Sequence, residues 1–323
     1  MRFGTLRGLD ACASDTGRFA VLALDHRSNL RRMLRPDDPG AVSWGQLVEV
    51  KRAIVEAVAG AATGVLLDPD IGAGPVVASG SLGPDVGLLV AVEATGYEGS
   101  ATARRSRVLD GWGVGQIKRL GADAVKLLLY YHPDAETAEG QERLLIEVAE
   151  ACADHDIPLF LETLGFAIDD PGGKLHGAAR REVVVRSARR LTALGGDVLK
   201  CEFPYDPSVS DRSDWAEACA ELEEASSIPW VILSAGVDDA TFEAQAEVAC
   251  RAGASGVLVG RSVWKESVGM DGEDRGAWLE TEGVARMQRL VDIVEAEGVP
   301  WRERSPLAGQ PEPVEDWYLD YPE

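Results

Sequence analysis

Two lysines stand in matching frames, Asp-Ala-Val-Lys-Leu-Leu-Leu over 123–129 and Asp-Val-Leu-Lys-Cys-Glu-Phe over 197–203. The chain has six lysines in all, Lys51, Lys118, Lys126, Lys174, Lys200 and Lys265, so two of them inside apolar runs is not an accident of composition. Burial strips hydration from an ammonium group and favours the neutral amine, which attacks a carbonyl carbon. Schiff-base formation is the chemistry this makes available. A buried lysine can equally close an ion pair, here with Asp25, Glu162 or Glu202, and for one lysine alone the two readings weigh about the same. Two lysines with carboxylates on neighbouring strands favour a reactive site.

The elements that must position them recur along the chain. Short Val-, Leu- and Ile-rich runs occur at 19–25, 64–68, 87–93, 124–130, 158–163, 198–203, 230–234 and 256–259, eight in number, each ending in a polar or glycine-containing turn. Between them lie stretches such as 44–59, 138–155, 179–194, 213–226 and 240–252, whose apolar residues recur at three and four, the period of an amphipathic helix. Continuous rather than alternating hydrophobicity suits a parallel sheet covered on both faces. Eight β-α units of this length predict a single (β/α)8 TIM barrel over 1–298. A doubly wound open sheet is the competing fold, but it calls for a glycine-rich phosphate loop after the first strand, and Asp25-His26-Arg27-Ser28 is not one. Two segments interrupt the period. The glycine-rich stretch 165–177 reads as a lid or as an ordinary mobile loop. The acidic tail 299–323 carries five prolines with Trp301, Trp317, Tyr318 and Tyr321, and its aromatics predict docking on the barrel or on a neighbouring subunit, which would make a homo-oligomer.

In a barrel, residues at the C-terminal ends of the strands share one mouth. The ionisable groups there are Asp25, Arg27, Asp68, Asp70, Glu93, Lys126, Glu162, Lys200, Glu202 and Arg261, and such charges are tolerated only as a paired network. Strands 7 and 8 end in Ser234-Ala235-Gly236 and Gly260-Arg261-Ser262. Glycines there let backbone N–H groups approach an anion, and the arginine adds a forked cation suited to phosphate or sulfonate. Taken alone, Ser-Ala-Gly is an ordinary turn; with Gly-Arg one strand later, an anion site is the better reading.

Composition narrows the partners. A formal charge of -22 excludes the basic surface that nucleic acid or an anionic membrane requires, while leaving room for a small anionic substrate in a locally cationic cleft. Five widely spaced cysteines form no C-x-x-C pair, which argues against zinc and against a disulfide framework. No apolar stretch approaches membrane-spanning length and the N-terminus lacks a leader pattern, so the expectation is a reducing, cytoplasmic protein without a metal or cofactor.

At this point a resemblance becomes specific. Leu24-Asp25-His26-Arg27, Tyr131-His132-Pro133-Asp134, Leu161-Glu162, Asp197-Val198-Leu199-Lys200-Cys201-Glu202-Phe203-Pro204, Leu233-Ser234-Ala235-Gly236-Val237 and Gly256-Val257-Leu258-Val259-Gly260-Arg261-Ser262-Val263-Trp264 resemble the motifs of the class I tagatose 1,6-diphosphate aldolase family, which includes sulfofructosephosphate aldolases. The resemblance implies a (β/α)8 enzyme that reversibly cleaves a phosphorylated ketose to dihydroxyacetone phosphate and an aldehyde without metal. It implies that Lys200 forms the Schiff base, that Glu162 is the acid/base carboxylate, and that Lys126 and Asp25 are its polar partners. Ser234, Gly236, Gly260 and Arg261 match phosphate-binding positions, and His26 and Arg27 join them as substrate-binding candidates. Lys126 beside Lys200 is expected to ease deprotonation of Lys200 by like-charge repulsion. Two departures stand out: His26 replaces an expected glutamine, and 265–275 matches nothing in the family pattern. A sulfonated ketose phosphate or another keto-sugar phosphate is the alternative substrate. A non-catalytic metabolite sensor is the alternative class, disfavoured because it would not need Lys200, Glu162 and Lys126 together.

Overall fold

The computed structural model describes residues 2–206, 212–309 and 312–321 of the chain. Its eight strands close one parallel barrel in sequence order: β1 Phe19–Leu24, β2 Gly64–Leu67, β3 Gly87–Ala91, β4 Ala124–Tyr131, β5 Leu159–Gly165, β6 Val198–Glu202, β7 Trp230–Leu233 and β8 Gly256–Val259. Each apolar run is a strand, and the fold is the (β/α)8 TIM barrel.

The helices, numbered in chain order, are α1 Phe3–Ala11, α2 Ser28–Leu34, α3 Trp44–Val58, α4 Ala73–Ser79, α5 Val114–Leu120, α6 Ala138–Asp154, α7 Gly177–Leu191, α8 Arg212–Ala225, α9 Asp239–Arg251, α10 Arg261–Trp264, α11 Gly272–Trp278, α12 Val284–Glu297 and α13 Trp301–Arg304. α3 shows how the sequence starts them. The Ser43 hydroxyl accepts from the Gln46 N–H while the Gln46 side chain accepts from the Ser43 N–H, a capping box, and Leu47, Val50, Ile54, Val55 and Val58 then form the buried stripe.

Side chains alternate across a strand, so every strand divides its residues between the barrel interior and the helix layer. Phe19, Val21 and Ala23 fill the interior with Leu66, Leu89, Ala124, Phe160, Val198, Val231 and Leu258. Their neighbours Ala20, Leu22, Val125, Leu127, Leu161 and Leu199 belong to the outer core beneath the helices. Lys126, Glu162 and Lys200 lie two residues after Ala124, Phe160 and Val198, so the same alternation carries them inward, one layer nearer the mouth. Register brings them together: Lys126 is opposite Phe160, and Glu162 is opposite Lys200.

The opposite end of the barrel is closed by Leu9 and Cys12 from the α1 segment and by Trp301, all completely buried in the interior cluster. An indole buried to this extent is worth about 3–5 kcal/mol against alanine. The chain after 298 is tied down here: the Val299 N–H donates to the Ala254 carbonyl and the Trp301 N–H to the Gly17 carbonyl. Further on, the Phe3 ring meets Trp317 edge-on at 4.8 Å and stacks on Tyr321 at 5.7 Å, and the Tyr321 hydroxyl donates to Asp156. Pro311 and Pro322 of the tail lie outside the described residues.

The segment 265–275 folds as a 3-10 turn, Lys265–Gly269, followed by the start of α11. Asp271 caps that helix through the Asp274 N–H, and the buried Arg275 donates back to the Ser267 and Met270 carbonyls. The 165–177 loop carries a small apolar cluster with α7, formed by Ala167, Leu175 and Val183, and Arg104 from the loop after β3 donates to its Gly172 and Gly173 carbonyls. Among the described residues no helix is long and apolar enough to cross a membrane.

Candidate active site

A cavity of about 680 Å³ opens at the C-terminal end of the barrel. Its wall carries five cations, Arg27, Arg32, Lys126, Lys200 and Arg261, against four carboxylates, Asp25, Glu93, Glu162 and Glu202. In a chain of formal charge -22 this is a locally cationic cleft, as a small anion requires.

The two lysines meet on one carboxylate. Glu162 Oε2 lies 2.8 Å from Lys126 Nζ and 2.8 Å from Lys200 Nζ. Lys126 has two further partners, Asp25 Oδ2 at 2.7 Å and Glu93 Oε1 at 2.5 Å, whereas among the described residues Lys200 forms an ion pair with Glu162 alone. Glu202, the other carboxylate of β6, instead pairs with Arg180 and accepts from the Gly165 N–H. Burial by itself would lower the Lys126 pKa, but Asp25, Glu162 and Glu93 outweigh it and hold the ammonium well above the ordinary lysine range. Burial would raise the two acids, yet Lys126 and Lys200 hold Glu162 below and Asp25 well below the usual carboxylate range. Glu202 goes the other way, raised by burial against the opposing pull of Arg180.

At the end of β1, His26 and Arg27 both line the cavity but differ in how they are engaged. The Arg27 guanidinium donates to Asp70 Oδ2 at 2.7 Å and to the Glu93 carbonyl at 2.6 Å, so it braces the loops after β2 and β3. His26 stands edge-on to Trp264 at 5.1 Å, and burial together with nearby Arg261, Lys51 and Lys200 draws its pKa down to about 4 against the opposing effect of Asp25. The imidazole is therefore neutral near pH 7.

The turns after β7 and β8 form the cationic end. Ala235 and Gly236 both have positive φ, 48° and 87°, and among the described residues their N–H groups have no acceptor. Gly236 is required by space as well as by φ, since a Cβ there would sit 2.8 Å from the Arg261 Cζ. A Cβ at Gly260 would meet the Ala23 carbonyl at 2.8 Å and the His26 ring at 3.0 Å. Arg261 forms no hydrogen bond or ion pair among the described residues, in contrast to Arg27, and Ser234 is buried beside it in the cavity wall. An unpaired guanidinium next to free N–H donors can hold a phosphate or sulfonate.

Of the ten candidates drawn from the sequence, nine line this cavity, and Gly236 lies just behind it against Arg261. Sequence reasoning placed Glu93 among the charges at the strand ends without assigning it a role; it is the third carboxylate on Lys126 and also accepts from the Leu128 N–H. Tyr130, two residues beyond Leu128 on the inward face of β4, was signalled only by alternation. Lys51, on α3, is completely buried against Asp68 and the Leu24 carbonyl. It explains why Asp68, although at a strand end, is absent from the cavity wall.

Comparison with known proteins agrees with this geometry. Residues 19–266 match the model of the DeoC/LacD family aldolases. The chain is 31% identical over 320 residues to tagatose 1,6-diphosphate aldolase of Lactococcus lactis subsp. lactis, covering 92% of this chain and 97% of that one. It is 33% identical over 316 residues to tagatose 1,6-diphosphate aldolase 1 of Streptococcus pyogenes serotype M3, covering 90% and 95%. Among solved structures, a Schiff-base-forming fructose-1,6-bisphosphate aldolase superposes with a TM-score of 0.60 at 20% identity over 89% of this chain and 98% of that one. The fructose-bisphosphate aldolase of Plasmodium falciparum gives 0.68 at 12% over 92% and 96%, a likeness of fold. With its barrel, its cationic mouth and a family match spanning all eight strands, the chain belongs to the DeoC/LacD family of aldolases.

Proposed function

We propose that this aldolase is of class I and reversibly cleaves a phosphorylated ketose such as tagatose 1,6-bisphosphate to dihydroxyacetone phosphate and an aldehyde, with Lys200 as the Schiff-base lysine. The asymmetry of the two lysines about Glu162 carries the assignment. Lys126, held by three carboxylates, stays an ammonium ion; Lys200, with one partner, can pass its proton to that partner and become the nucleophile. Relatives at 31% and 33% identity that are tagatose 1,6-diphosphate aldolases support the substrate class.

The neutral Lys200 amine adds to the C2 carbonyl, and loss of water leaves a protonated imine. The C3–C4 electron pair then moves into the imine to form an enamine while the C4 hydroxyl proton passes to Glu162, releasing the aldehyde. Protonation at C3 and hydrolysis of the imine return dihydroxyacetone phosphate and free Lys200. Asp25 and Lys126 fix the polarity of the site, and Arg261 with Ser234, Gly236 and Gly260 holds the phosphate next to C1. Five free, buried cysteines suit the reducing cytoplasm, where such a reaction would run. The test is a cleavage assay with tagatose 1,6-bisphosphate, fructose 1,6-bisphosphate and sulfofructose 1-phosphate. Release of dihydroxyacetone phosphate from a bisphosphate is expected; a clear preference for the sulfonate would reassign the substrate, and no cleavage of any of the three would reject the reading.

A further inference from the structure

One polar group in the cavity wall is left without a partner by everything described above. His26 Nδ1 is buried and makes no hydrogen bond. Its nearest acceptor, Asp25 Oδ1, is 3.8 Å away, slightly beyond hydrogen-bond range. Nε2 also forms no hydrogen bond among the described residues, but it is not one of the buried unpaired atoms, so it opens to the cavity that the residue lines. The ring is not free to search for other partners. Trp264 meets it edge-on and is itself fixed by its Nε1–H to the Ala23 carbonyl, while the backbone of Gly260 leaves no space on the other side. A buried, oriented nitrogen with no partner is costly unless a bound molecule satisfies it.

We propose that His26 is a specificity-determining residue whose Nε2 accepts the free hydroxyl of the keto-phosphate half of the substrate, with Nδ1–H turned toward Asp25. The inference rests on the Schiff-base reading given above and adds to it. With the phosphate at Arg261 on the β8 turn and C2 at Lys200 on β6, the keto-phosphate half runs past the end of β1, where His26 touches the β8 turn. Its only other oxygen is the hydroxyl one carbon from the imine. The neutral ring supplies one donor and one acceptor: Asp25 fixes the tautomer by attracting the proton on Nδ1, which leaves the Nε2 lone pair for the hydroxyl. A ketone lacking that hydroxyl would leave Nε2 as unsatisfied as it is in the free enzyme, and the site would discriminate against it.

The experiment compares dihydroxyacetone phosphate with hydroxyacetone phosphate, its deoxy analogue. The readout is the ketone concentration that half-saturates borohydride trapping at Lys200, in wild type, His26→Ala and His26→Gln. His26→Ala should raise that concentration about ten- to hundredfold for dihydroxyacetone phosphate and leave it within about twofold for the analogue. His26→Gln, whose amide oxygen can also accept, should keep most of the wild-type discrimination and guards against a folding defect in the alanine variant. Equal shifts for the two ketones, or no shift for either, would overturn the role of His26. A wild-type enzyme that is not trapped at Lys200 by either ketone would overturn the Schiff-base reading itself, a distinct result.

Discussion

Replacing Lys126 by methionine removes one charge from the centre of the site while nearly conserving shape, and its consequences follow from the distances around it. Three carboxylates, Asp25, Glu93 and Glu162, lie 2.5–2.8 Å from Nζ, and Lys126 is fully buried. Removing one partner of a buried ion pair costs about 3–5 kcal/mol. For 323 residues the unfolding entropy is about 0.7 kcal/mol/K, so the melting temperature should fall by about 4–7 °C. The pH dependence gives a sharper test. In the wild type Asp25 and Glu162 are held low, so their contribution is present above the unfolded carboxylate pKa and is lost as pH falls through the folded values. In Lys126→Met, with only Lys200 left to face the cluster, at least one carboxyl rises above its unfolded value. Its contribution is then full below the unfolded pKa and lost as pH rises through the folded one. The gap between variant and wild type should therefore widen from about pH 5 to about pH 8 in thermal scans at one fixed rate. A gap that does not change with pH, or one below about 1 °C, would refute the view of Lys126 as the cation that holds the cluster together.

Glu162→Gln should lower turnover by about two to four orders of magnitude while Lys200 remains trappable with a keto-phosphate, since the amide cannot take the C4 hydroxyl proton; near wild-type turnover would exclude that role. Arg261→Ala should raise KM for phosphorylated ketoses by about ten- to hundredfold and leave the unphosphorylated sugars nearly unchanged, because it removes the uncommitted cation of the mouth. Equal losses for charged and uncharged sugars would make Arg261 a packing residue.

Most of the fold was legible because both faces of a barrel strand are buried, so runs such as 124–130 and 198–203 announce themselves without alternation. What they conceal is direction. Val125 and Leu127 face the helices while Ala124 faces the interior, and an apolar run does not say which is which. The charged interruptions Lys126, Glu162 and Lys200 mark the inward face, and for that reason the catalytic candidates were the easiest residues to find. Partners were harder, because they depend on how loops close. Nothing local to Arg27 says that it turns to Asp70 and the Glu93 carbonyl, and nothing near Glu93 says that it completes the shell of Lys126. The closure of the barrel floor by Trp301 was equally hidden, since one tryptophan in a proline-containing tail carries no periodic signal.

The central claim is that the two lysines, alike in sequence frame and in burial, differ in function because three carboxylates hold Lys126 and one holds Lys200. Borohydride reduction in the presence of dihydroxyacetone phosphate, followed by peptide mapping by mass spectrometry, tests it directly. The adduct mass should fall on the peptide containing Lys200, with inactivation in proportion to labelling. Labelling of the Lys126 peptide, or full activity after complete reduction, would contradict it.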